Sequence, residues 1–100
     1  MTVKDVVQRI GIIRSRANLS ARALSLNIDK GESYIHLLES KKGFEPSLSA
    51  LLEIIDACGS TPVEFFYPDI QQYESDKQVL DFIKTLSSYQ KEAVLNLYKK

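Results

Sequence analysis

The chain has 100 residues, of which 44% are hydrophobic and 26% charged; this suits a single folded core and excludes a disordered or low-complexity chain. Basic and acidic residues balance at 13 each, so no global positive field draws the chain toward a polyanion. Neither part carries a strong local excess, since residues 1 to 70 hold 8 basic and 9 acidic side chains and residues 71 to 100 hold 5 and 4.

No apolar run approaches the ~20 residues of a membrane span, and MTVKDVVQRI lacks the core of a signal peptide, so the cytoplasm and no membrane contact are expected. Val3, Val6, Val7, Ile10 and Ile13 recur at three- and four-residue steps, which predicts a first helix over about Val3 to Ala17. Asn18 can then stop it in the left-handed conformation. Ser20 stands where an N-cap belongs, and Ala23, Leu24 and Ile28 form the buried stripe of a second helix. After an Asp29-Lys30-Gly31 turn, Ser33 to Ser40 predicts a third helix with Ile35 and Leu38 inward and Tyr34 at the margin. Asp29 and Glu32 also have capping-box spacing, which would start that helix at Lys30.

Lys41 to Pro46 is a loop by its Gly and Pro content, and Ser47 caps a fourth helix with a broad apolar face of Leu48, Leu51, Leu52, Ile54 and Ile55. Gly59 ends it. Thr61-Pro62-Val63-Glu64 supplies a cap, a Pro at the first helical position and a Glu to close the box, so a short fifth helix follows with Phe65 and Phe66 as core anchors. Asp69 to Ser75 is polar and expected to be a linker. Beyond it Val79, Phe82, Ile83 and Leu86, then Ala93, Val94, Leu97 and Tyr98 after a Ser87/Gln90 capping box, predict a C-terminal helical hairpin. The expected fold is all-α, divided at residues 1–68 and 69–100.

Cys58 is the only cysteine and His36 the only histidine, and they are far apart in the chain. No disulfide, metal site or Cys/His nucleophile is expected, nor any cofactor, and Cys58 reads as a small buried residue. There is no Gly-rich phosphate loop either. An enzyme is therefore not expected.

The second and third helices with their tight turn have the spacing of a helix-turn-helix. Leu19-Ser20, Leu24, Ile28, Ile35, Leu38, Glu39, Pro46-Ser47-Leu48 and Phe65-Phe66, taken as a set over five helices, make residues 3–66 resemble the lambda-repressor-like, xenobiotic-response-element-type DNA-binding domain. The resemblance implies a transcriptional regulator, most often a repressor, that binds double-stranded DNA. It also implies a partly buried pair between Arg14, late in the first helix, and Glu39, at the end of the third. Departures weaken the implied grip: Ala21 stands where the family usually has a phosphate-binding Gln, and Asp29 where it usually has Gly.

In such a frame the third helix enters the major groove while flanking ends hold phosphates. The outward residues are Glu32, Ser33, His36 and Leu37, with Tyr34 near the edge. Ser33 and His36 can hydrogen-bond base edges, Leu37 can touch a thymine methyl and Glu32 can accept from cytosine N4. Phosphate contacts would fall to Ser20, Arg22, Lys30, Lys41 and Lys42.

Four cations grip at most about four phosphates, so a homodimer is expected, through Val79, Phe82, Ile83, Leu86, Val94, Leu97 and Tyr98 of the hairpin. Docking of the hairpin within its own chain is the alternative. For the function itself the alternative is a helix-turn-helix-framed protein-interaction module, such as an antitoxin or anti-repressor, favoured by the neutral charge, Glu32 and an exposed Leu37.

Overall fold

In a computed structural model of the protein, residues 1–40 and 44–99 are described. Among them the chain forms seven α-helices, one 3-10 turn and no strand: α1 (Val3–Arg16), α2 (Ala21–Asn27), α3 (Tyr34–Ser40), α4 (Leu48–Ala57), α5 (Pro62–Phe65), the 3-10 turn (Ile70–Gln72), α6 (Tyr73–Lys84) and α7 (Ser88–Lys99). The chain divides into two compact units, Met1–Pro68 and Asp69–Lys100.

In the first unit α1, α2, α4 and α5 begin on side-chain caps, and α1, α2 and α4 end on left-handed residues. Ser20, Ser47 and Thr61 Oγ atoms accept from the backbone N–H three residues on, at 3.0, 3.2 and 3.2 Å. Thr2 does the same for Asp5 and receives that carboxylate in return at its own N–H, 2.9 Å away. At the other ends Asn18, Asp29 and Gly59 take φ of 56°, 57° and 71°. Each closes two backbone bonds of a Schellman motif, as in Asp29 N–H to Leu26 O at 3.1 Å and Lys30 N–H to Ser25 O at 2.9 Å. Three helix stops are thus made by one device, and only the last uses glycine.

The core is filled by Ile10 and Ile13 of α1, Leu24 and Ile28 around α2, Ile35 and Leu38 of α3, Ala50, Leu51, Ile54 and Ile55 of α4, and Phe65 of α5. It is narrower than the apolar stripes predict. Val3, Leu48 and Leu52 are exposed and Val6 and Val7 only half-buried, because Val3 and Leu48 open their helices and an apolar arc wider than its neighbours extends beyond them. Phe66, expected in the core, is 45% exposed and meets Phe65 edge-on at 5.0 Å. One turn suffices to bury Phe65, and its neighbour then points outward.

Two further expectations fail locally. The Asp29/Glu32 box does not start α3, since Asp29 is left-handed rather than in the extended conformation of an N-cap. Residues 69–75 are not an open linker: Asp69 Oδ1 accepts from Gln71 N–H at 3.0 Å and the resulting turn runs into α6.

In the second unit Ser87 and Gln90 form the capping box of α7, with Ser87 N–H donating to Gln90 Oε1 at 2.9 Å and Gln90 N–H to Ser87 Oγ at 3.2 Å. Neither α6 nor α7 buries a residue.

Candidate functional site

The corner of α2 and α3 is built around a buried serine. Ser25 Oγ donates to Ala21 O at 2.7 Å and accepts from Ile35 N–H at 2.9 Å, with the side chain fully buried. One small hydroxyl thereby pins the first turn of α3 to α2, a junction where a larger side chain would not fit the close packing.

Arg14 fixes the far end of α3. Its Nε donates to Glu39 Oε1 at 2.8 Å and its Nη2 to Glu39 Oε2 at 2.9 Å, while Nη1 reaches Leu19 O at 3.1 Å. The side chains are 22% and 24% exposed. This two-point geometry is the strong form of a charged hydrogen bond; it raises the Arg14 pKa, chiefly through the bond to Glu39. α3 is therefore tied to α2 at its start and to the end of α1 at its finish.

Between those ties α3 exposes His36 and Leu37, Leu37 by 44%, and Glu32 and Ser33, just before α3, are exposed as well. Tyr34 is placed differently from its neighbours. Its ring is half-buried, edge-on to Phe44 at 5.8 Å, with Lys30 Nζ 5.4 Å above it. Its ring serves as a platform for Lys30, and burial pushes its hydroxyl pKa up. Arg22 is not an isolated cation: its Nε lies 3.2 Å from Glu32 Oε2. Ser20 Oγ accepts the Ala23 N–H as the cap of α2. Lys41 and Lys42 lie outside the described residues.

Val79, Phe82, Val94, Leu97 and Tyr98 are exposed, and Ile83 and Leu86 half-buried. Cys58 is half-buried at the end of α4, where burial raises its thiol pKa. No group of His, Cys, Asp and Glu among the described residues could hold a metal ion, and no helix there is long and apolar enough to cross a membrane. Comparisons with protein-family models, with curated proteins and with solved structures find no match.

Two contributors were not anticipated from sequence. Arg9 donates to the carbonyls of Phe65, Tyr67 and Pro68, at 2.7 Å for Phe65 and 2.9 Å for Pro68, and so latches the end of α5 onto α1. Nothing in the spacing of Arg9 signals this, since its acceptors are backbone atoms more than fifty positions away. The Arg22 to Glu32 pair was equally hidden, because it depends on the angle of the turn between two helices.

Proposed function

We propose that residues 1–68 form a lambda-repressor-like helix-turn-helix domain and that the protein binds double-stranded DNA sequence-specifically, as a transcriptional repressor in the cytoplasm. The observation that carries this reading is the outward edge of α3. His36 and Leu37 stand exposed on a short helix pinned by Ser25 at one end and by Arg14 and Glu39 at the other, with exposed Ser33 immediately before it, and a pre-organised edge of hydrogen-bonding and methyl-contacting groups suits base readout. Lys30, propped over Tyr34, and Arg22 supply phosphate contacts, joined in this reading by Lys41 and Lys42. So few cations favour a homodimer, and the uncovered apolar side chains of α6 and α7 supply the surface for it. No catalytic step is part of the proposal.

The second reading, a protein-binding helix-turn-helix module of antitoxin or anti-repressor type, draws on the exposure of Leu26 and Leu37 and on the carboxylate beside Arg22. Selection of bound sequences from random duplex DNA decides between them. The DNA reading expects an enriched motif at low salt, relaxed at one position by His36→Ala and weakened uniformly by Lys41→Ala/Lys42→Ala, with a flatter salt dependence. Failure to enrich any motif overturns it in favour of a protein partner.

A further inference from the structure

The pair between Arg22 and Glu32 is too exposed to serve the fold: the side chains are 70% and 65% exposed and meet at a single 3.2 Å contact, a geometry that contributes little to stability. Its position is informative instead. Arg22 lies in the first turn of α2, where a cation is useful against a phosphate, and Glu32 lies just before α3, beside Ser33 and four residues ahead of His36. A carboxylate here cancels one of the few cations on the proposed DNA-facing surface. It is also acceptor-only, so phosphates and the acceptor-rich edges of guanine and thymine repel it.

Resting on the DNA-binding reading above, we propose that Glu32 is a built-in brake and base filter. In the free protein it occupies Arg22. On duplex DNA of arbitrary sequence Arg22 must leave it to neutralise a phosphate, and the bared carboxylate faces a negative surface; binding to every such sequence is weakened. Where cytosine N4 or adenine N6 presents an amino group, the carboxylate accepts a hydrogen bond and the loss is recovered. Discrimination then arises by penalising wrong sequences rather than by added grip, which fits a protein with no net charge.

The test titrates the full chain, as wild type, Glu32→Gln, Arg22→Ala and the double variant, against pooled random duplex DNA at several salt concentrations, with sequence selection run in parallel. Glu32→Gln is expected to tighten binding to random duplex roughly three- to tenfold at low salt. It also steepens the salt slope by about 0.9, the contribution of one more phosphate contact, and flattens the preference at one base position. In the Arg22→Ala background the gain shrinks. Glu32→Ser, which lacks the same carboxylate, must reproduce the effect.

Wild type binding DNA with Glu32→Gln no tighter overturns the brake while leaving DNA binding intact. Binding by Glu32→Gln where wild type binds none supports it. Absence of binding by both overturns the DNA reading and this inference with it.

Discussion

The two units of the chain use the same kind of helix to opposite ends. In Met1–Pro68 every α-helix contributes at least one buried residue, and Ile10, Leu24, Ile35, Ile54 and Phe65 have no exposed surface at all. In Asp69–Lys100 the twelve-residue helices α6 and α7 are longer than any of the first unit except α1, yet neither buries a residue. Length and amphipathic pattern therefore do not make a core. A helix is stabilised in a protein by what covers its apolar face, and the α6 and α7 faces leave Phe82 62% and Leu97 69% exposed.

That contrast is broken or sharpened most strongly by comparing two phenylalanines. Phe65→Ala removes a fully buried ring and is expected to cost about 3–5 kcal/mol, a large part of the stability of a small domain. Phe82→Ala should leave the unfolding free energy of a dilute sample within ~0.5 kcal/mol, the range of an uncovered surface site. In the dimer reading it also moves sedimentation toward the monomer. Urea titrations of both variants, with ultracentrifugation of the second, measure this. Equal losses of stability for the two would show that α6 belongs to a core after all.

A smaller effect is expected where the first unit depends on a polar group. Ser25→Ala deletes the acceptor for the buried Ile35 N–H and the donor to Ala21 O. An unpaired buried donor costs roughly 1–3 kcal/mol. The loss should be accompanied by faster hydrogen exchange at the Ile35 amide, since the first turn of α3 loses its tie to α2. A change below ~0.5 kcal/mol would mean that α3 is held by its apolar residues and by Arg14 alone.

Much of the first unit could be read from the chain because its signals are local. Ser20, Ser47 and Thr61 act within three residues, and Asn18 and Asp29 reach the left-handed conformation through their own backbone. Spacing also placed Ser33, His36 and Leu37 on one outward edge. Depth of burial was less legible. Periodicity tells which arc of a helix is apolar, whereas Leu48, Leu52 and Phe66 are exposed because neighbouring helices cover only part of that arc. Side-chain partnerships across a turn, such as Arg22 with Glu32, or onto distant carbonyls, such as Arg9 with Phe65, require the tertiary arrangement and left no mark in the spacing. At the candidate site the exposure of Ser33, His36 and Leu37 and the Arg14 to Glu39 pair were therefore legible, the pair through the family resemblance, and the Arg22 to Glu32 pair was not.

The smallest expected effect distinguishes the units by their capping boxes. α1 is closed by Thr2 and a carboxylate, Asp5; α7 is closed by Ser87 and a neutral amide, Gln90. The Thr2 backbone N–H, followed by its hydroxyl, holds the Asp5 pKa below its ordinary value of 3.8. A carboxyl group whose pKa is lower folded than unfolded stabilises the folded state above the unfolded pKa and loses that contribution as pH falls through the folded one. The α1 box should therefore weaken below about pH 4, while the α7 box, having no proton to gain, should not. Amide exchange in the first turns of both helices, followed from pH 6 to pH 3 after correction for intrinsic rates, reads the two separately. Wild type is expected to lose protection in α1 relative to α7, and Asp5→Asn, which keeps an acceptor but no titratable group, to remove that difference. Equal loss in both helices, or no change with Asp5→Asn, would place the acid sensitivity elsewhere than in the cap.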